Sequence, residues 1–147
     1  MTESRVVVEV SSTVRRLAIS DAKVRQLVEA SLGEMKIGDA MISIAFVGRT
    51  AMSRLNNEYL SHHGPTDVIS FGMGRAARGM PAVGDIYICP EIAIRNARRA
   101  GVSTANELAR LVVHGTLHVA GLEHPDDESR TSSPMWKKQE RILGNRD

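Results

Sequence analysis

Between Thr104 and Gly121 lies the segment that most constrains the fold of this chain. Thr104 and Glu107 have the T-x-x-E spacing of a capping box, so a helix is expected to start there. It should run through Leu108, Leu111, Val112 and Val119 to Ala120, with Gly121 placed to end it. At 100° per residue, Leu108, Leu111, Val112 and Gly115 form one stripe, which must be buried against other elements. The rest of the chain offers those elements. Residues 6–10 and 41–47 read as strands, and residues 21–32 as a helix with Ser20 as N-cap, Val24, Leu27 and Val28 inward and Gly33 as its stop. Thr50 is expected to cap a helix running to Tyr59, followed by a loop over residues 61–66 and a short strand over 68–71. Glycine-rich residues 72–84 read as a loop before a strand over 85–89, and Pro90 suits the first turn of a helix to Ala100. Ser133 or Pro134 opens a last helix that ends near Leu143. Interleaved strands and helices predict an α+β fold, an α/β sandwich with one mixed sheet of about four strands and helices packed on it.

At 147 residues this is the length of one domain, and 42% hydrophobic with 24% charged residues is the balance of an ordinary globular protein. No apolar run approaches the roughly 20 residues of a membrane helix, and the N-terminus has no signal-like stretch, so the expected address is the cytoplasm, away from membranes. The single cysteine, Cys89, lies in an apolar run and reads as a buried structural thiol. A formal charge of only +2 makes any attraction to nucleic acid local. Arg95, Arg98 and Arg99 share one helix face, which either tracks phosphates or is simply solvated. Aromatic residues at 3% provide few stacking platforms, so RNA would be handled mainly through its backbone.

His114 and His118 are i and i+4 on the central helix, one turn apart on one side, where both imidazoles can converge on one ion. A left-handed Gly121 would turn the chain so that His124 returns as a third ligand. Three nitrogen ligands leave a tetrahedral position open, which is the mark of a catalytic zinc rather than a structural one; one zinc per chain is expected. His62 and His63, beside Gly64 and Pro65, read as solvated loop residues. The spacing matches the metzincin peptidase pattern H-E-x-x-H-x-x-G-x-x-H except at Gly115, where those peptidases carry their glutamate base. Neutral imidazoles leave the ion its full positive charge, which favours an anionic phosphate over a peptide carbonyl. Met135 either packs beneath the metal, as a methionine does in metzincins, or is an ordinary core residue.

The run H-G-T-L-H-V-A-G-L-E-H over residues 114–124 resembles the signature of the YbeY family of bacterial metal-dependent endoribonucleases. Leu55, Asn56 and Tyr59 followed by P-T-D-V-I-S-F over residues 65–71, and G-D-I over residues 84–86, match two further blocks in the same order. The resemblance implies zinc-dependent cleavage of single-stranded RNA, in maturation of small-subunit ribosomal RNA and ribosome quality control, with the ribosome or small-subunit proteins as partners. It implies His114, His118 and His124 as metal ligands and makes Tyr59 and Thr66, with Arg95, Arg98 and Arg99, candidate substrate contacts. The general base is open among the metal-activated water, Glu123, Asp126 and Asp127. Two positions depart from the family pattern: Leu60 replaces an arginine that would contact phosphate, and Glu123 replaces aspartate with its charge kept. Two other classes stay in view: a metallopeptidase-like hydrolase, against which Gly115 counts, and a non-enzymatic ribosome-associated RNA binder with a structural zinc, which Leu60 favours.

Overall fold

The computed structural model describes residues 5–72, 80–122 and 133–144. In chain order the elements are β1 (Arg5–Ser12), α1 (Asp21–Glu34), β2 (Asp39–Phe46), α2 (Arg49–Leu60), β3 (Val68–Gly72), β4 (Ala82–Ile88), α3 (Pro90–Ala100), α4 (Thr104–Val119) and α5 (Pro134–Ile142). The strands form one sheet in the order β1-β2-β4-β3, so the expected α+β fold with a mixed four-stranded sheet is observed. β1, β2 and β4 run parallel, while β3 returns antiparallel to β4 and forms an edge, with Ser70 opposite Ile86.

Side chains alternate across the sheet, and the two faces bury different clusters. Ile42, Ile44, Phe46, Ile86 and Ile88 enter the main core with Val24 and Val28 of α1 and Leu108, Val112 and Leu117 of α4. On the opposite face Ile69 and Cys89 pack with Met52 of α2 and Ile92 of α3. Cys89 is fully buried, as expected of a structural thiol, and that burial pushes its pKa above the ordinary value. Among the described residues no helix is long and apolar enough to cross a membrane.

The central helix contacts α1, α3, α5, β3 and β4, so it organises the molecule. Its approach to the sheet is unusually close at two glycines. A Cβ on Gly115 would lie 2.7 Å from Ile86 Cγ2, and one on Gly84 would lie 2.6 Å from Val119 Cγ1. This contact explains why β4 begins at Ala82 rather than at Asp85: Gly84 is a strand residue whose missing side chain is replaced by Val119.

Other boundaries move for equally local reasons. α1 does not stop at Gly33; it runs to Glu34, and Lys36 takes the left-handed conformation at φ 57°. There the Lys36 and Ile37 amides donate to the Gly33 and Leu32 carbonyls, so the helix ends where buried Ile37 can close on buried Leu32. α2 opens at Arg49 behind Gly48, with Thr50 inside its first turn, because Val47 still donates to the Ile88 carbonyl and the helix must start directly after it. α4 is capped by Ser103, whose Oγ accepts from the Asn106 amide at 3.0 Å, while Glu107 turns to Arg110 instead of closing a capping box with Thr104. Ser20 and Ser133 cap α1 and α5, and Pro90 starts α3, as expected.

Candidate metal centre and its neighbouring cavity

His114 and His118 stand one turn apart at the edge of α4, the first half-buried and the second exposed. The buried stripe beneath them holds the helix on the sheet, so their backbone is rigidly placed. At the end of α4, Gly121 has φ 108°, and the Gly121 and Leu122 amides donate to the His118 and Leu117 carbonyls. This is the paired closure that turns a chain away from a helix end, and it is the turn expected before the third histidine. His124 itself lies outside the described residues, as do Glu123, Asp126 and Asp127. Among the described residues no group of three histidine, cysteine, aspartate or glutamate side chains could hold a metal.

A chain of hydrogen bonds reaches His114 from α5. Arg110 donates from Nε and Nη2 to both carboxylate oxygens of Glu140 at 3.0 Å, and from Nη1 to Glu107 at 2.9 Å. The bond to Glu140 outweighs the burial that acts against it and, with the bond to Glu107, holds the Arg110 guanidinium above its ordinary pKa. Glu140 therefore serves as an acceptor, and Gln139 donates to it from Nε2 at 3.0 Å. That orients the buried Gln139 amide with Oε1 toward His114 Nδ1, 2.8 Å away. A carbonyl oxygen can only accept, so the His114 ring donates to it from Nδ1. His118 Nδ1 is likewise held, 2.8 Å from the Ser70 hydroxyl on edge strand β3. Both imidazoles thus have Nδ1 held by a neighbouring side chain, the kind of outer contact that orients histidines in metal sites.

Beside His114 is a cavity of about 370 Å³ between α3, α4, α5 and the start of β3. Asn96, Arg110 and Trp136 line it, together with Asp67. Asp67 is fixed by the Asn96 amide, at 3.2 Å, and by the Val68 backbone N–H, at 2.8 Å.

The remaining sequence candidates fall elsewhere. Arg95, Arg98 and Arg99 are exposed on α3, whose contribution to the cavity is Asn96 and Ala100. Thr66 is half-buried, its hydroxyl 3.4 Å from Asp67 Oδ1. Tyr59 is 63% exposed and meets Phe71 edge-on, with ring centroids 5.3 Å apart. His62 and His63 are exposed, as a solvated loop predicts, and Met135 lies in the main hydrophobic core. Leu60 is also exposed, at 44%, so it is not an anchor beneath the loop.

Residue-by-residue reading of the sequence missed Ser70, Gln139 and Asn96. Gln139 had a faint signal: it falls four residues after Met135, on the inward face of a helix, where a buried amide needs a partner.

The family model described as Endoribonuclease YbeY matches residues 9–146. A protein of Beutenbergia cavernae named Endoribonuclease YbeY is 39% identical, over 83% of this chain and 87% of its own. Proteins of the same name from Kineococcus radiotolerans and Geobacter sulfurreducens are 35% and 31% identical over 93% and 92% of this chain, and over 83% and 93% of their own. The solution structure of a Thermotoga maritima protein superposes with a TM-score of 0.63 at 26% identity, over 93% of this chain and 87% of that one. The chain belongs to the YbeY family of endoribonucleases.

Proposed function

We propose that this protein is a zinc-dependent endoribonuclease that hydrolyses single-stranded RNA, with precursor ribosomal RNA as its substrate and the ribosome as its workplace. The observation that carries the metal is the tethering of two histidines. Gln139 and Ser70 hold the Nδ1 atoms of His114 and His118, and a pair of Nε2 donors on one helix edge fits zinc, which takes imidazole nitrogen readily. His124 completes the set in this reading. Zinc in that position supplies Lewis acidity toward a phosphoryl oxygen and makes a nearby water acidic enough to react at neutral pH. The chain's own part is to hold both imidazoles in place by their Nδ1 atoms.

RNA rather than peptide is favoured at Gly115. A glutamate base in that position would have to pass through Ile86, because even a Cβ there meets its Cγ2 at 2.7 Å. The helix lies too close to the sheet to carry the peptidase residue.

The test is metal analysis of the purified protein beside cleavage of single-stranded RNA, with and without chelator, for wild type and for His114→Ala, His118→Ala and His124→Ala. The expected result is one zinc per chain, lost with cleavage in each variant, and casein left intact. Full metal retention in two of the variants would overturn the assignment, and metal-dependent casein hydrolysis with intact RNA would reverse it.

A further inference from the structure

Resting on the nuclease reading above, we infer that the cavity beside His114 is a nucleobase pocket, which takes the base of a nucleotide flanking the phosphate that is cut. Its volume of about 370 Å³ is at the low end of small-molecule sites, room for one nucleoside and not for a helix of paired bases. Its chemistry is wrong for a phosphate. Arg110, the one lysine or arginine on its wall among the described residues, is already shared between Glu107 and Glu140, and Asp67 adds a further negative charge. Backbone phosphate is thereby kept out of the cavity and left to the neighbouring histidine site.

What the cavity does offer suits a flat heterocycle. Leu111 and Trp136 provide apolar wall, and an indole is a surface on which a base can stack. Asn96 provides the reading edge. The Asp67 carboxylate accepts from its Nδ2, which fixes the amide orientation and leaves the carbonyl oxygen and a second N–H for whatever enters. An acceptor and a donor side by side match the hydrogen-bonding edge of a base. Because His114 lines the same cavity, a base seated there sets the register of the adjoining phosphate at the metal-ligating edge of α4. The protein would then cleave with a base preference, even though it has few aromatic residues.

Trp136 is the only tryptophan of the chain, so its fluorescence reports on this cavity directly, without any need for catalysis. Titration with each of the four nucleoside monophosphates should quench it saturably, whereas ribose 5-phosphate should leave it unchanged. Ala100→Leu, at the exposed end of α3 where the cavity opens, should weaken nucleotide binding at least tenfold with no change in melting temperature. Asn96→Ala should flatten the differences among the four bases, in binding and in the bases flanking the cuts. Equal quenching by ribose 5-phosphate, or no saturable quenching by any nucleotide, would overturn the pocket. RNA cleavage without nucleotide quenching retires the pocket and leaves the nuclease. Saturable, Ala100→Leu-sensitive quenching in a protein that does not cut RNA retires the nuclease and leaves the nucleobase site standing.

Discussion

Adding a single methyl group at Gly115 tests how α4 is seated, and with it the placement of both histidines. The new Cβ would lie 2.7, 3.2 and 3.3 Å from Ile86 Cγ2, Cδ1 and Cγ1, where ordinary contact begins at 3.4 Å. Ile86 is fully buried in the strand next to the edge, and its Cγ2 is a branch methyl on Cβ, so it can yield only by turning the whole side chain out of its χ1 rotamer within the packed core. Overpacking of this kind costs about 1–3 kcal/mol. Against it stands the helix propensity of alanine over glycine, about 1 kcal/mol. Gly115→Ala should therefore destabilise the protein by about 1 kcal/mol net, which lowers Tm by about 2–4 °C at this chain length. Removing the obstruction should reverse the sign. Ile86→Ala alone should cost about 2–5 kcal/mol for its cavity, but in that background Gly115→Ala should stabilise by about 1 kcal/mol, giving a coupling near 2 kcal/mol. Urea unfolding of the four proteins, compared at constant slope, measures each corner of the cycle. If Gly115→Ala stabilised both backgrounds equally, the close approach of α4 to β4 would be refuted, and with it the steric case against a glutamate base.

Gln139→Ala and Ser70→Ala, which release His114 and His118 respectively, should each lower zinc affinity by about 10–100-fold without removing a ligand, as read by competition with a chromophoric chelator; unchanged affinity in both would separate these contacts from the metal. Leu60→Arg should raise the single-turnover rate of RNA cleavage about tenfold, or about 1.4 kcal/mol of transition-state stabilisation, with metal content unchanged. The exposed position can accept the charge, so an unaltered rate in a fully stable variant would dismiss the idea of a missing phosphate contact. Burial raises the Cys89 pKa above its usual 9.0, so the folded state keeps the thiol proton that the unfolded chain releases. Stability from this group is complete below pH 9 and falls as pH rises through the folded value; Cys89→Ala should flatten that alkaline decline in a pH series of urea midpoints, and an unchanged slope would discount the thiol.

The order of elements, the helix through Thr104–Val119, the one-turn spacing of its histidines and the turn at Gly121 were legible in the sequence. All are contacts between residues a few positions apart, which side-chain periodicity and glycine placement encode directly. Helix ends were less legible, because α1 ends where Ile37 finds Leu32 and the cap of α4 is Ser103 rather than the Thr104 of the more conspicuous T-x-x-E. The strand order β1-β2-β4-β3 was beyond local reading, as was the antiparallel edge that brings Ser70 to His118 across 48 residues. Gln139 meets His114 across 25 residues only because α5 packs on α4. The same packing turns Gly115 from a missing side chain into a position filled by Ile86, and joins Asn96, Asp67 and Trp136 around one cavity. The histidine pair on the central helix was thus written into the chain, whereas its hydrogen-bond partners and surroundings were decided when the helices closed on the sheet, since each depends on groups that only tertiary packing brings within hydrogen-bonding distance.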